Sequence, residues 1–255
     1  MWWLRINGRS QRDRMRGAAC FAVVFLAVTS VASAQPASPL IDEGFESTLS
    51  GWTEEPGAAP GTLNDDDTTS PSPLYGAESL RITTPVAAGA RMYKDFTGGD
   101  ERWAYFLFRP VSTTNNWTIF SFWDSGFAEV CVITLQTANT LQAEHGGATG
   151  SSTVGTLSDG TTYHVWIHYN DTTDVCDVGF STDGVRPTSG DNFVSDTGGT
   201  VTTDAQKIVL GGGASDSSEI GIFDRVYVDD AQIGDFTAGG SPTGARLLLL
   251  GVGTP

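Results

Sequence analysis

Hydrophobic and polar residues alternate with a period of two along most of this chain. Short runs of β-branched and aromatic residues are separated by clusters of Gly, Asp, Ser, Thr and Pro, and helical spacing of apolar residues is nearly absent after residue 34. This pattern indicates strands with one buried face. The predicted strands are Leu40–Phe45, Ser79–Thr83, Arg91–Phe96, Arg102–Arg109, Trp117–Trp123, Glu129–Gln136, Leu141–Glu144, Tyr163–Tyr169, Val175–Ser181, Lys207–Gly211 and Arg225–Ile233. Eleven strands joined by polar turns predict an all-β fold, a two-sheet antiparallel β-sandwich of the jelly-roll kind.

One predicted strand holds two of the three histidines of the chain, with a tryptophan between them. Successive side chains of a strand point to opposite faces. The tyrosines and aliphatic residues of Tyr163–Tyr169 therefore share the core side, and His164, Trp166 and His168 share the other. A tryptophan flanked by imidazoles suits a sugar, which stacks on the ring and bonds at its rim. The alternatives are a tryptophan covered by a loop and, less favoured, a catalytic role.

Geometry excludes a metal site shared by the two imidazoles. His164 and His168 are four residues apart on a strand, which is roughly 13 Å. Two ligands at that separation cannot bind one ion. A zinc site on this strand is therefore not expected.

A second strand shows a similar pattern. In Trp117–Trp123, the residues Phe120 and Phe122 have the parity of core residues, and Trp117 and Trp123 have the opposite parity. The two tryptophans are therefore candidates for the wall of a carbohydrate-binding groove. For each tryptophan alone, burial as packing is the alternative.

The amino terminus is typical of a secretory signal peptide. Residues 1–34 contain a basic region with five arginines, an apolar run over 18–31, and the small residues Ala32-Ser33-Ala34 before a cleavage site. The apolar run is too short to span a membrane. We expect a secreted or periplasmic protein with a single β-sandwich domain over 35–238, followed by a short linker and tail over 239–255.

The charge of the chain limits its partners. The full chain has 14 basic and 30 acidic residues, a net charge of −16. Removing residues 1–34 takes away five arginines and one aspartate, which leaves nine basic and 29 acidic residues, a net charge of −20. Such a surface repels nucleic acids and anionic membranes. A neutral glycan, a cell-surface polysaccharide or a cation is favoured, although the charge is also typical of a protein that is merely soluble outside the cell.

Two cysteines remain after the predicted signal peptide. Cys131 and Cys176 lie on predicted strands and share parity with apolar residues. Both side chains should therefore point into the core. An even pair in an exported chain is a candidate disulfide, and two buried free thiols are the alternative.

Three segments together resemble the concanavalin A-like lectin/glucanase superfamily, especially the laminin G-like domains of secreted bacterial proteins. They are IDEGFESTLSGW followed by YGAESLRI, then TYHVWIHYNDTTDVCDVGFSTDG, and last IVLGGG leading to RVYVDDAQIGD. The resemblance covers most of residues 40–236. It implies two curved antiparallel sheets, a face that often binds sugars, and often a structural calcium ion.

The resemblance also implies where calcium would bind. Asp229 of the closing strand, Glu46 and the backbone carbonyl of Gly76 correspond to the family's ligands, and they supply the oxygen atoms that Ca²⁺ prefers. Asp229 has the parity of apolar neighbours, so its charge needs donors or a cation. The alternative is an aspartate bonded only to backbone amides.

Catalytic motifs of the superfamily are missing from the sequence. There is no Glu-x-Asp-x-x-Glu strand of the glucanases, no Arg-rich or Gln-x-His strand of the alginate lyases, and no nucleophile elbow. No catalytic residue is therefore predicted. The favoured function is a non-catalytic, lectin-like carbohydrate-binding domain. The alternatives are a glycan-active hydrolase or lyase with diverged catalytic residues and a structural or adhesive surface protein.

Overall fold

A computed structural model describes residues 39–46, 48–55, 62–64, 73–84, 89–146, 149–212 and 219–236. The predicted signal peptide and the tail over 239–255 lie outside the described residues, so both stay predictions. The described residues contain no helix that is long and apolar enough to cross a membrane.

Fifteen strands and no helix make up the described part of the chain. They are β1 (Ile41–Glu43), β2 (Thr53–Glu54), β3 (Thr62–Asn64), β4 (Ser79–Thr83), β5 (Ala90–Gly99), β6 (Glu101–Ser112), β7 (Trp117–Trp123), β8 (Glu129–Leu135), β9 (Thr140–His145), β10 (Ser151–Thr156), β11 (Tyr163–Asn170), β12 (Val175–Ser181), β13 (Phe193–Asp196), β14 (Ala205–Gly212) and β15 (Ile220–Asp229).

The strands form two antiparallel sheets. Sheet A has the order β13-β12-β11-β6-β15-β4-β3, and β1 also pairs with β15. Sheet B has the order β10-β9-β8-β7-β14-β5-β2. The predicted all-β, two-sheet antiparallel sandwich is confirmed.

The strands that the sequence pattern missed are the ones at the sheet edges. β13 and β3 end sheet A, and β10 and β2 end sheet B. An edge strand is paired on one side only and is short and polar to prevent aggregation. Its residues therefore lack the apolar alternation that reveals a central strand.

Aromatic side chains fill the space between the sheets. Phe106 of β6 stacks on Phe120 of β7 with ring centroids 5.5 Å apart, and this contact joins sheet A to sheet B. Phe223 of β15 packs against Phe106 and against Trp117. Burial of such rings supplies most of the free energy that holds two sheets together.

A disulfide joins Cys131 of β8 to Cys176 of β12, with Cα atoms 5.5 Å apart. The predicted pairing is confirmed, and the bond links sheet B to sheet A. Beside it lies His145, which is 0% exposed and stacks on Tyr169 with ring centroids 5.6 Å apart. Both ring nitrogens of His145 are buried and lack a hydrogen-bond partner among the described residues. Burial lowers the pKa of His145, while Asp174, Asp196 and Asp171 act in the opposite direction.

Candidate functional site

The face of β11 that the sequence singled out lies on the outer side of sheet A, where the C-terminal segment of the domain covers it. Trp166 is only 2% exposed. Its indole Nε1 donates to the carbonyl of Gly234 at 3.0 Å, and it packs in one apolar cluster with Ile233 and Phe236. The parity prediction is right, because Trp166 points away from the core between the sheets. The predicted exposure is wrong, because residues 231–236 return across the sheet and bury the ring.

Neighbouring side chains contact both ring nitrogens and one ring face of His168. Its Nε2 lies 3.0 Å from a carboxylate oxygen of Glu101, and its Nδ1 lies 3.2 Å from Asp177. Its ring stacks on Trp103 with centroids 3.8 Å apart, and the Arg186 guanidinium lies 4.4 Å from the Trp103 ring centroid. Because both nitrogens are engaged by carboxylates, His168 is not free to bond sugar hydroxyls as predicted.

His164 is the member of this face that keeps a nitrogen for a ligand. Its Nδ1 lies 2.8 Å from the hydroxyl of Tyr105. Burial strongly raises the pKa of Tyr105, so the hydroxyl stays protonated. Burial lowers the pKa of His164, and the nearby charge of Arg225 lowers it further. Both effects favour the neutral imidazole over the charged one.

Trp117 does not line a groove. It is fully buried in the core, where its ring lies 5.9 Å from Phe108. The cause is a β-bulge in the pairing of β7 with β8 between Thr118 and Phe120. One extra residue reverses the parity of the strand, so the groove position predicted for Trp117 is wrong.

Trp123 does lie on the outer face of sheet B, next to two further aromatic residues. Its ring centroid is 5.9 Å from that of Phe127, which in turn is 5.5 Å from that of Tyr93. We call Tyr93, Trp123 and Phe127 the aromatic patch. Trp123 is buried beneath its neighbours, and its Nε1 has no hydrogen-bond partner among the described residues.

Phe127 forms the exposed part of the aromatic patch. It is 48% exposed and has a backbone φ of +67°, a left-handed conformation that side-chain-bearing residues rarely adopt. The turn before β8 holds it there: Oδ1 of Asp124 accepts hydrogen bonds from the amides of Gly126 at 2.7 Å and Ala128 at 2.9 Å. The sequence reading missed Phe127, although an aromatic residue inside an Asp-Ser-Gly turn was a visible signal.

The cations beside the aromatic patch are paired with carboxylates. The Arg91 guanidinium lies 5.3 Å from the Trp123 ring centroid and bridges Glu55 at 3.4 Å and Glu129 at 3.6 Å. The Lys207 ammonium lies 4.8 Å from the Phe127 ring centroid and pairs with a carboxylate of β5. The patch is therefore not locally cationic, which suits a neutral ligand.

On the outer face of sheet B, hydrogen-bonding side chains of β8 and β9 lie between the aromatic patch and the edge strand β10. Thr134 of β8 faces Gln142 of β9, and Glu144 faces Val132 in the next row. Burial raises the pKa of Glu144, and the charge of Glu129 adds to the shift. Aromatic surface beside hydroxyl and carboxyl groups is a combination that sugar sites use.

The predicted calcium ligands are only partly brought together. The Glu46 carboxylate lies against Gly76, where a Cβ atom would be 1.5 Å from Glu46 Oε1, and it accepts from the Ala77 amide at 2.9 Å. Asp229 does not reach them. β1 pairs with β15 through Ile41 opposite Val228 and Glu43 opposite Val226. Glu46 is instead close enough to Asp224 for its charge to act on that carboxyl, and Asp229 lies five residues farther along β15, roughly 16 Å away. Asp229 as a ligand beside Glu46 is therefore wrong.

Asp224 occupies the position expected of Asp229. It is fully buried and accepts from the Tyr75 amide at 2.9 Å and the Ser79 hydroxyl at 2.7 Å. Burial raises the pKa of Asp224 to about 7, and the nearby charge of Glu46 contributes to the shift. The described residues hold no group of three His, Cys, Asp or Glu side chains suited to a metal. A cation here would need backbone oxygens as well.

Comparisons with known proteins show the fold. No protein-family model matches the chain, and no curated protein matches its sequence. The solved structure of "Cellulose induced protein, Cip1" is similar, with a TM-score of 0.56 and 14% identity over 77% of this chain and 100% of that one.

Two sialidase structures also match. One, named "Sialidase", has a TM-score of 0.55 and 13% identity over 76% of this chain and 19% of that one. The Trypanosoma rangeli sialidase has a TM-score of 0.52 and 13% identity, with 78% and 32% coverage. The chain thus spans a fifth to a third of the length of these sialidases. At such identities the similarity establishes a shared β-sandwich fold.

Proposed function

We propose that the protein is a secreted carbohydrate-binding domain that binds a neutral glycan on the outer face of sheet B, at the aromatic patch. The observation that carries the proposal is Phe127, a large apolar side chain that is half exposed and held in a left-handed backbone conformation. Such strain costs about 1–3 kcal/mol. An exposed ring offsets little of that cost in the free protein. A ligand that stacks on the ring explains why the turn holds it there.

The surroundings of Phe127 support a neutral sugar. Tyr93 adds a second ring at 5.5 Å, and both nearby cations are already paired with carboxylates. Thr134 and Glu144 offer a hydroxyl and a carboxyl group for the hydroxyl groups of a sugar on the same face. The net charge of −20 expected for the mature chain also disfavours a polyanion. The similarity to Cip1, named as a cellulose-induced protein, is compatible with this function.

The test is a pair of variants measured on a glycan array and then by calorimetry. Phe127→Gly removes the ring and relieves the backbone strain. It should keep or raise the melting temperature and weaken glycan binding at least tenfold, since stacking and apolar contact are lost. The matched control is Val154→Ala, which trims another exposed apolar side chain, 74% exposed on β10.

Two results would contradict the proposal in different ways. If the wild-type protein binds no neutral glycan, the carbohydrate-binding function is wrong. If it binds one and Phe127→Gly binds equally well, the function stands and the location on sheet B is wrong.

Glycan hydrolysis on the same face is a second candidate. Glu129 and Glu144 are close enough for the charge of one to raise the pKa of the other, and glycosidases use such carboxyl pairs. Release of reducing sugar by the wild type, lost in Glu144→Gln, would favour an enzyme over a lectin.

We further propose a structural Ca²⁺ ion between the loop at Gly76 and the two carboxylates of Glu46 and Asp224. The support is that the charge of Glu46 contributes to the raised pKa of Asp224, and that Gly76 leaves room for the Glu46 carboxylate. Oxygen ligands of this kind suit Ca²⁺. Secretion is the remaining part of the proposal, and the disulfide between Cys131 and Cys176 supports an oxidising compartment.

A further inference from the structure

Arg225 sits in β15 in a conformation that an arginine rarely takes. Its backbone φ is +49°, and the pairing of β15 with β6 shifts register between Asp224 and Tyr227. The residue therefore lies in a β-bulge. Bulges redirect a side chain out of the regular sheet, and strained non-glycine residues cluster at functional sites. The bulge aims Arg225 over the outer face of sheet A.

The guanidinium of Arg225 is a cation without an acidic partner among the described residues. Its Nη2 is buried and makes no hydrogen bond there. The group lies 4.2 Å from the ring centroid of Tyr75 and 5.9 Å from that of Phe236. Two aromatic rings thus fix the planar fork of the guanidinium by cation–π contacts. In a chain with a large excess of acidic residues, a fixed and unpaired guanidinium is a built site for an anionic oxygen.

His164 supplies a second hydrogen-bonding group near Arg225. The Tyr105 hydroxyl and His164 Nδ1 share a hydrogen bond at 2.8 Å, which leaves Nε2 for a ligand. Arg225 is close enough to both His164 and Tyr105 for its charge to act on them. Asp183 also acts on His164, but it is exposed and water screens it.

Tyr75 provides a ring surface at the edge of the site. Tyr75 is 43% exposed, and the Arg225 guanidinium lies 4.2 Å from the centroid of its ring. A ring beside a fixed guanidinium matches a ligand that has a flat apolar face next to a carboxylate. An acidic sugar has both features.

We propose that Tyr75, Arg225 and His164 form a second binding site, on the outer face of sheet A, for a sugar that carries a carboxylate. The Arg225 guanidinium donates to the carboxylate through a nitrogen other than the buried Nη2, the His164 imidazole bonds an oxygen of the same sugar through Nε2, and the exposed part of Tyr75 packs against its ring. This site is separate from the aromatic patch of sheet B and does not depend on it.

The global charge restricts the ligand to a single acidic residue. The mature chain has an expected net charge of −20, so a polyuronate would be repelled along its length. The carboxylate of a single acidic sugar interacts chiefly with the nearby charge of Arg225. Raising the salt concentration should therefore weaken the binding of a single acidic sugar far less than it would weaken a contact made by several exposed charges.

The experiment compares methyl β-glucuronide with methyl β-glucoside, which differ in the carboxylate alone, by ligand-detected NMR and titration of the intact mature protein. The glucuronide should bind at least tenfold more tightly. Arg225→Gln removes the positive charge beside the carboxylate, and it should weaken glucuronide binding at least fivefold. His164→Gln should weaken it by a smaller factor. Val154→Ala, on the other sheet, should leave it unchanged.

Arg225→Gly serves as the control for folding. Glycine fits the left-handed backbone at this position, so the variant should melt no lower than the wild type and should lose glucuronide binding. Equal binding of glucuronide and glucoside, or no binding of glucuronide at millimolar concentration, would overturn the proposal. Inorganic sulfate that competes as well as glucuronide would mean a simple anion site and would overturn the role of Tyr75. A loss of binding in Phe127→Gly would place the acidic sugar on sheet B and would also overturn it.

Discussion

Replacing Trp166 with alanine tests whether the C-terminal segment of the domain covers sheet A. The indole is 2% exposed, donates to the Gly234 carbonyl at 3.0 Å and lies 5.4 Å from the Tyr105 ring centroid. The same ring also shares an apolar cluster with Ile233 and Phe236. All of these contacts are lost in Trp166→Ala.

The expected cost follows from the buried area. A tryptophan buries about 200 Å², which at about 25 cal/mol per Å² is about 5 kcal/mol. That figure is an upper value, because the unfolded chain already hides part of the area. Measured substitutions of this type cost about 3–5 kcal/mol. For a domain of this length, 1 kcal/mol shifts the melting temperature by about 2–4 °C, so Trp166→Ala should melt roughly 6–20 °C lower.

Thermal and urea unfolding of Trp166→Ala and Trp166→Phe would measure this. The phenylalanine keeps most of the packing and loses the bond to Gly234, so it should cost only about 1–2 kcal/mol. A loss below about 1 kcal/mol in Trp166→Ala would show that the ring is open to solvent. The segment would then not cover sheet A in solution.

Three further predictions concern the disulfide, the buried histidine and calcium. Replacing Cys131 and Cys176 together by serine opens a cross-link of 45 residues and should cost about 4 kcal/mol by loop entropy, measured by urea unfolding; an unchanged midpoint would contradict it. The pKa of His145 is lowered by burial, so its contribution to stability is present above its ordinary value of 6.5 and is lost as pH falls through the folded value. Melting curves should therefore fall less between pH 7 and pH 5 in His145→Phe than in the wild type, and equal slopes would refute the reasoning. Chelation should lower the melting temperature and added Ca²⁺ should restore it in the wild type but not in Glu46→Gln; identical curves with and without chelator, on protein shown to be metal-free, would exclude the ion.

The sequence predicts the central strands because their environment is repeated at every second residue. In β11, Tyr163 and Val165 face one side and His164 and Trp166 the other, as the alternation requires. Edge strands such as Ser151–Thr156 lack this signal because one side of each is unpaired. The inward orientation of Trp117 depends on a β-bulge in β7, and no residue type in this strand predicts a bulge.

The candidate sites depend on contacts between distant parts of the chain, which local patterns do not contain. Trp166 is buried by Gly234 and its neighbours, 68 residues later. The exchange of Asp229 for Asp224 follows from the register of β1 on β15, which parity alone does not fix. Arg225, a charged residue within an otherwise apolar strand, was visible in the sequence, but its left-handed conformation was not.

The pairing of β1 with β15 has a mechanical consequence. Ile41 and Val228 lie opposite each other, so the chain enters and leaves the sandwich about one strand spacing apart, about 4.8 Å. Tension applied at Leu40 and Phe236 would first strip the last segment from Trp166 and Tyr105. It would then unzip the short ladder at Ile41–Glu43 one residue pair at a time, which requires little force because the hydrogen bonds do not share the load. The core beyond this ladder, which contains the disulfide between Cys131 and Cys176, would bear tension only after β1 had peeled away.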